Sequence, residues 1–317
     1  MRSGFLIFSK PRKGREWPMK RLAPVFVLMA SVLWGSMGII TRYVAAIGFN
    51  TRQTAAVRIT SAAVVLILFL LITDRNKLKI DKKDLKWFLG TGLGSLFINN
   101  LAYAATVQRA SLSVAVVLLY TAPFFVMIMS VIFFKEKLTV QKIAALFLSF
   151  AGCILVVGLS GANVGDNALV TLLIGLSAGF GYSLYSIFGK VLMGKYESLT
   201  VTVYTFILAS IASLLIAQPL SMGRIIASNA SKMPVTVIGS VITLALPYIC
   251  YSTALKYIES SKASIIASFE VVAASLFGVV LYRETLDLFN LVGIICVVAA
   301  LVILQLNPKK SQRDQNE

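Results

Sequence analysis

The sequence of 317 residues contains no histidine, only 3 cysteines, and only 13 acidic residues against 30 basic ones. Without histidine the chain lacks the commonest metal ligand and the usual proton carrier near neutral pH, so proton coupling would need a carboxylate. Cys153, Cys250 and Cys296 lie in apolar segments without CxxC spacing, which predicts core residues and no disulfide. We therefore predict no metal site and no cofactor.

Charge is also scarce: charged residues make up 14% of the chain, hydrophobic residues 58%, and the mean hydropathy is +0.84. A water-soluble globule could not bury so much apolar surface. The apolar residues fall into segments of about 20 residues, the length of a helix that crosses a hydrocarbon core of roughly 30 Å. The composition therefore predicts an all-α integral membrane protein with many spans.

The net charge of +17 does not indicate a nucleic-acid partner, because the Lys and Arg residues are dispersed in short loops. Cytoplasmic loops of membrane proteins are enriched in these residues. With the N-terminus inside, most of the 30 lie on the cytoplasmic side. The other side has only Arg52, Arg109, Arg224, Lys232 and Arg283. This asymmetry predicts a multi-pass protein of the plasma membrane with an even number of spans and both termini cytoplasmic.

Apolar windows predict ten spans. They lie near residues 22–46, 54–73, 87–107, 113–134, 141–159, 168–188, 199–218, 235–255, 263–282 and 288–306.

An internal repeat is visible at an offset of 148 residues. FFKEKLT from Phe133 is similar to LYRETLD from Leu281, which pairs Glu136 with Glu284, and the same offset pairs Tyr103 with Tyr251. Each copy contains five predicted spans, an odd number, so the second copy should enter the membrane from the opposite side. Inverted repeats of this kind are typical of secondary transporters, whose substrate site lies near the midplane.

Four segments have distinctive motifs: AAVRITSAAVVL at Ala55, LAYAATVQRASLSVAVVLLYTAPFF at Leu101, FFKEKLTVQKIAALFLSFAGCILVV at Phe133, and FEVVAASLFGVVLYRETL at Phe269. Together they resemble the EamA branch of the drug/metabolite transporter superfamily, from about Leu22 to Leu306. The resemblance implies ten helices in two inverted five-helix halves around a central cavity. It also implies transport of small polar metabolites, often the export of amino acids or related compounds.

The resemblance and the repeat divide the chain into four parts. These are a cytoplasmic N-terminal segment (1–21), a first EamA repeat with spans one to five (22–160), a second with spans six to ten (161–306), and a cytoplasmic tail (307–317). Met19, followed by Lys20 and Arg21, is an alternative start. One departure from the family pattern is Val271, which replaces the proline that usually follows the glutamate matching Glu270, so a break of span nine is not expected from proline.

Glu270 is the one carboxylate in the run SFEVVAASLFGVVLY. It lies about two turns into span nine, roughly 10 Å deep. An acidic side chain at such a depth costs about 2.5 to 3.5 kcal/mol, so we expect it to face a partner or a cavity. Its repeat counterpart is Ala122, which makes Glu270 an asymmetric candidate for proton coupling and substrate binding. The alternative is a protonated Glu270 bonded to a neighbouring helix.

Polar and aromatic side chains recur at helical spacing on repeat-related spans, and we predict that they line a substrate cavity. The alternative is that they form interhelical hydrogen bonds and interfacial belts. The set comprises Trp34, Asn99, Asn100, Tyr103, Tyr182, Tyr248 and Tyr251.

Arg58 lies about one turn into span two, near its outer end, and the sequence allows two roles for it. It could hold a substrate carboxylate, or it could form a structural ion pair or extend to the interface. Two prolines inside spans, Pro123 and Pro247, lack an N–H and free the carbonyls of Leu119 and Thr243, either for a partner or substrate or within a packed kink.

Four charged residues at span ends have simpler explanations. Arg42 and Lys190 are repeat-related and are explained by anchoring of helix ends, with a role as gates as the alternative. For Glu136 and Glu284 we expect turn capping and pairing with neighbouring bases.

The sequence thus predicts a secondary transporter, not an enzyme, that moves a small-molecule substrate by alternating access. The expected partners are this substrate and membrane lipid. The protein is expected to be a monomer or homodimer, with proton coupling as an option. Uptake instead of export is the alternative within this class. A membrane-embedded enzyme acting on lipid would need a DxxD pair or paired histidines, which the spans lack. A structural subunit or small multidrug pump is the third alternative.

Overall fold

The structure is a computed structural model that describes residues 16–158, 163–164 and 167–306. Within these residues the chain is helical and forms no strand, as expected where lipid offers no partner to an unpaired backbone group. Residues 1–15 of the predicted N-terminal segment, the predicted boundary between repeats at 160–161, and the tail 307–317 lie outside the described residues.

The helices of the first half are α1 (Glu16–Gly35), α2 (Met37–Ala46), α3 (Thr51–Thr73), α4 (Leu85–Leu89), α5 (Ile98–Val107), α6 (Leu112–Leu119), α7 (Ala122–Phe134) and α8 (Val140–Val157). Those of the second half are α9 (Ala168–Met193), α10 (Ser198–Ile216), α11 (Pro219–Ser228), α12 (Met233–Ser240), α13 (Leu246–Leu255), α14 (Ser260–Ala267), α15 (Phe269–Tyr282) and α16 (Leu288–Gln305). Two π-helical segments, Gly90–Phe97 and Val241–Ala245, join α4 to α5 and α12 to α13.

Nine helical stretches in the described part of the chain are long and apolar enough to cross a membrane. Each corresponds to one of the predicted spans. The predicted third span, 87–107, is continuous helix but is not among the nine. It is less apolar because it contains three glycines and the adjacent Asn99 and Asn100.

The repeat extends to the secondary structure. Adding 148 to the bounds of α5, α6 and α8 gives the bounds of α13, α14 and α16. The π-helical segments also overlap at this offset. Lys135 and Arg283, which are related by the same offset, both end a helix in the left-handed conformation, with φ of 53° and 55°. The two halves are therefore copies of one structural unit.

Helix packing exchanges partners between the halves. α1 packs on α13 and α15, while α9, which corresponds to α1 and α2, packs on α5 and α7. α3 packs on its counterpart α10, and α8 on its counterpart α16. Reciprocal contacts of this kind are those of an isologous two-fold interface, here formed within one chain.

Two helices are interrupted at repeat-related positions. The first interruption, at Tyr120 and Thr121, separates α6 from α7 directly before Pro123. The second, at Ser268, separates α14 from α15 although Val271 takes the position of the proline. The second break therefore does not need proline.

The contact between α8 and α16 depends on two glycines. A Cβ on Gly152 would lie 2.7 Å from the carbonyl oxygen of Gly293, and a Cβ on Gly293 would lie 2.7 Å from that of Gly152. The backbones therefore meet without intervening side chains, as at small-residue crossings in membranes.

We predict that Gly152→Val forces α8 and α16 apart and destabilises the protein by about 1 to 3 kcal/mol, the usual cost of overpacking. The midpoint of thermal unfolding in detergent measures this. Gly38→Val is the matched control, since a Cβ at Gly38 meets nothing within 4 Å. Equal midpoints for the two variants would contradict the close crossing.

Candidate functional site

Arg58 is held inside the protein by two hydroxyl groups. α3 begins after Asn50, whose side chain and that of Gln53 form a reciprocal cap, and Arg58 follows two turns later. The Arg58 side chain is buried, with 5% of its surface exposed. Its Nη1 donates to Thr41 Oγ1 at 2.7 Å and its Nη2 to Thr243 Oγ1 at 2.9 Å.

These partners leave the charge of Arg58 unbalanced. Both are neutral hydroxyls, and the Nε of Arg58 has no hydrogen-bond partner among the described residues. Buried arginines are normally paired with an anion, because an isolated charge loses its hydration without compensation.

Arg58 lines a cavity of about 430 Å³. α2, α3 and α5 contribute most of its wall, and its polar members include Arg52, Asn100, Tyr103 and Gln108. The volume lies within the range of small-molecule sites, roughly 300 to 1,000 Å³. The structure thus brings three of the predicted site residues, Arg58, Asn100 and Tyr103, to one cavity.

Trp34 lies at the centre of a packed aromatic cluster. Its ring centroid is 5.3 Å from that of Tyr248, 5.5 Å from Tyr251 and 6.3 Å from Tyr182. Tyr185 packs edge-on against Tyr248 at 4.7 Å. The hydroxyls of Tyr185 and Tyr251 each bond a serine on the facing helix. In this conformation Trp34, Tyr248 and Tyr251 line neither the large cavity nor the small one described next.

Glu270 lies in the first turn of α15, just after the break at Ser268. Together with Tyr120, Pro123 and Tyr182 it lines a small cavity of about 10 Å³, room for about one water molecule. Glu270 does not line the large cavity, whose wall includes Tyr103.

Asn99, Asn100 and Pro247 are the remaining predicted residues, and Asn100 also lines the large cavity. The Oδ1 of Asn99 is buried without a partner among the described residues. Asn100 donates its Nδ2 to the carbonyl of Leu96 at 2.6 Å. Pro247 follows the second π-helical segment, in which the hydroxyl of Thr243, instead of its carbonyl, binds Arg58.

The expectation of local pairing does not account for most partners of Glu136. Glu136 reaches across to the second half and accepts hydrogen bonds from the backbone N–H of Ser260, at 2.8 Å, and of Ser261, at 3.3 Å. The Ser261 hydroxyl donates to the same carboxylate. Lys190 Nζ lies 3.5 Å and Lys142 Nζ 3.9 Å from it. We call these five residues the Glu136 latch. It joins the loop after α7 to the N-terminus of α14, where the helix dipole favours an anion.

The repeat-related residues are arranged differently. Glu284 is 52% exposed and pairs with Arg42, 61% exposed, at 3.5 Å. Arg42 corresponds to Lys190, so the charge pair is repeated. The positions that correspond to Ser260 and Ser261 are Leu112 and Ser113, at the start of α6. Glu284 makes no described hydrogen bond to them. One latch is closed and its counterpart is open.

A second tie joins the halves at the latch end. The buried carboxylate of Asp84 accepts hydrogen bonds from Lys195, at 2.7 Å and 3.1 Å, and from the Tyr196 hydroxyl, at 2.8 Å. Burial alone would raise the pKa of Asp84, but these hydrogen bonds outweigh it and hold the pKa below its usual value. The hydrogen bond to Asp84 also raises the pKa of Lys195.

The cavity and the ties lie at opposite ends of the helix bundle. Lys190 and Lys195 mark the end of α9. The cavity is lined by Asn50 and Gln108, next to the loop in which Ser111 N–H bonds the carbonyl of Asn163, near the start of α9. The protein is therefore closed at one end and hollow towards the other.

A helical membrane protein with an internal repeat and a solute-sized cavity is the class that these observations define. The EamA-like transporter family model matches residues 21–158 and 169–306, one copy on each half of the repeat. The chain belongs to this family, and the resemblance found in the sequence is confirmed.

Relatives agree with the family. A protein described as an uncharacterised transporter, from Archaeoglobus fulgidus, is 25% identical over 283 residues, covering 89% of this chain and 96% of that protein. The uncharacterised inner membrane transporter YicL of Salmonella typhimurium is 21% identical and covers 90% and 96%. One solved crystal structure matches with a TM-score of 0.76 at 14% identity, over 92% of this chain and 99% of its own. That likeness shows the fold alone.

The sequence interpretation missed the partners that hold the site together. Thr41 and Thr243 are ordinary residues in apolar spans, and nothing local marks them as ligands of Arg58. Tyr120 was detectable, because it occupies the repeat position of Ser268, beside Glu270. The hydrogen bonds of Glu136 to α14 join residues more than 120 positions apart in the sequence. No local sequence pattern indicates them.

We predict that Asp84→Asn lowers stability at pH 7 by about 1 to 3 kcal/mol, because Lys195 and Tyr196 lose an ionised acceptor. The contribution of Asp84 is present above the ordinary carboxyl pKa of about 3.9 and is lost as the pH falls through the lowered value. Unfolding midpoints of wild type and variant should therefore converge only below about pH 4. Glu197→Gln, which removes the exposed pair with Lys77, is the control with an effect near zero. A variant as stable as wild type at pH 7 would rule out this tie.

Proposed function

We propose that this protein is a secondary transporter that carries a small polar metabolite by alternating access. The observation that carries the proposal is the asymmetry between two repeat-related ends. The Glu136 latch is closed at one end, while Glu284 and Arg42 are exposed in the other half and the 430 Å³ cavity is open. In repeat-built transporters, rocking of one repeat against the other exposes a central site to each side in turn.

The proposed membrane arrangement has ten spans in two inverted halves, with the helical segment 85–107 as the tenth. The distribution of Lys and Arg supports cytoplasmic termini in the cell membrane. In this orientation the cavity faces the outside, and the latch and the Asp84 tie close the cytoplasmic face.

The proposed direction is export of amino acids or related compounds, with no reaction catalysed. It is supported by the family resemblance in the sequence and by the size of the cavity. Uptake by the same fold is the alternative, since direction follows from the driving gradient.

In the opposite state, the repeat predicts that Glu284 takes the place that Glu136 holds now. Its carboxylate would bind the N-terminus of α6 at Leu112 and Ser113, with Arg42 beside it in the role of Lys190. The Glu136 latch would open at the same time, because the halves move as units.

Reconstitution into liposomes tests the transport function directly. Saturable flux of members of a panel of labelled amino acids and organic acids is expected, with and without a proton gradient. Absence of saturable flux across the panel would refute the proposal.

We predict that Glu136→Ala shifts the protein towards the state open to the cytoplasm by roughly tenfold or more, because a charged acceptor with several donors is lost. Two single cysteines in a background without Cys153, Cys250 and Cys296 report the change. Ala55→Cys in the cavity wall should be labelled less from outside, and Val203→Cys, its buried repeat counterpart, more from inside.

Glu284→Ala is the matched control. It removes the exposed counterpart of Glu136 and should not increase the labelling of Val203→Cys from inside. Unchanged labelling of both cysteines in a folded Glu136→Ala protein would contradict the gating role.

We further propose that Glu270 couples transport to protons. The carboxylate lines a small cavity that holds about one water molecule, together with the hydroxyl-bearing side chains of Tyr120 and Tyr182.

Glu270→Gln is expected to abolish accumulation driven by a proton gradient while sparing solute exchange, because the amide cannot carry a proton. Accumulation and exchange are measured on the same liposomes. Glu197→Gln, at an exposed carboxylate that pairs with Lys77 outside both latches, should retain gradient-driven accumulation. Normal accumulation by Glu270→Gln would exclude this role.

A further inference from the structure

We infer that the transported solute presents a carboxylate to Arg58 and bears no net positive charge. This inference rests on the proposed transport function and narrows its substrate class.

The first support is the state of Arg58 itself. A guanidinium has five N–H donors, and the described structure uses two of them, on Thr41 and Thr243, in bonds that leave the charge intact. The Nε is buried without an acceptor. The planar fork of arginine matches a carboxylate in two parallel hydrogen bonds. The site therefore has the donors and the charge for a carboxylate, and no described side chain supplies one.

The second support is the charge of the cavity wall. Among the described residues, the charged side chains that line it are Arg52 and Arg58, and none of the described wall residues is a carboxylate. The wall also includes Asn50 and Thr51, at the N-terminus of α3, where the helix dipole is positive. A cationic solute would be repelled by every fixed charge that it met there.

Four described carboxylates at or near the helix bundle are placed elsewhere. Glu136 is held in the latch, Glu284 pairs with Arg42, and Asp84 binds Lys195. Glu270 lines the small cavity instead of the large one. Within the described part of the chain, no acidic group is placed to neutralise Arg58.

The rest of the wall suits the body of a small acid. Phe49, Phe97 and Ile216 provide apolar surface, and Tyr103 and Gln108 provide hydrogen-bonding groups. An organic acid or a neutral or acidic amino acid fits this combination, whereas a basic amino acid or a cationic drug does not.

The test uses proteoliposomes of the full chain and pairs each acid with its amide: succinate with succinamide, glutamate with glutamine, and phenylalanine with phenylalaninamide. Lysine and tetraphenylphosphonium serve as cations. The expected result is saturable flux of one or more carboxylates, at least tenfold slower flux when that carboxylate is an amide, and no saturable flux of tetraphenylphosphonium. The glutamate pair differs in the side-chain carboxylate and the phenylalanine pair in the α-carboxylate, so the two pairs also report which carboxylate is bound.

Arg58→Gln should weaken the apparent affinity for that acid roughly 10- to 100-fold, the worth of hydrogen bonds to a charged group. It should affect the amide little. Arg109→Gln, which removes an exposed arginine that does not line the cavity, is the matched control and should behave as wild type.

A purely structural role for Arg58 is tested separately. The double variant Thr41→Val with Thr243→Val removes the hydroxyls that position Arg58 but keeps the guanidinium. It should retain the preference for acid over amide, even with weaker affinity. If the double variant and Arg58→Gln both lose the flux of acid and amide to the same extent, the role of Arg58 is purely structural and the inference is wrong.

Two outcomes separate this inference from the proposed function. Equal flux of acid and amide, or saturable flux of tetraphenylphosphonium, would overturn the carboxylate inference and leave the transport function in place. Absence of saturable flux for every member of the panel would count against the transport function itself.

Discussion

The carboxylate of Glu136 is the contact on which the asymmetry of this protein depends. A carboxylate with 9% of its residue surface exposed needs compensation. Two backbone N–H groups, a hydroxyl and two ammonium groups supply it. Both backbone groups come from the second half of the chain, so the charge can be satisfied only while the halves are closed together at that end. At the other end lies the cavity, and there the counterpart, Glu284, is exposed.

Interruptions of the helices place polar groups inside an otherwise apolar bundle. The breaks at Tyr120 and Ser268 and the π-helical segments recur at the repeat offset. They lie beside the functional groups: Ser268 precedes Glu270, and Thr243, in a π-helical segment, binds Arg58. In lipid such irregular backbone is tolerated only where it is buried in protein or lines a cavity, and π-helical segments are frequent at functional sites. The repeat therefore carries both the fold and the positions of its irregularities.

The candidate site was only partly predictable from the sequence. Polarity within apolar spans singled out Arg58, Asn100, Tyr103 and Glu270 as residues that need special surroundings, because the cost of a polar group in lipid depends on its residue type and depth. It did not separate the residues of the large cavity from the aromatic cluster around Trp34. Which side chains pack and which line space depends on the rotation and crossing of helices, and that follows from contacts such as Gly152 with Gly293.

By itself, the sequence determined that this protein is a helical membrane protein with an internal repeat, because spans need about 20 apolar residues and a repeat is visible as an offset. It also determined the family. Only the tertiary structure decided that Glu136 binds the start of α14 while Glu284 remains exposed, and that Arg58 faces a cavity whose described wall contains no carboxylate. Two repeat-related segments can adopt different arrangements within one chain, because the closed and open arrangements differ in long-range contacts.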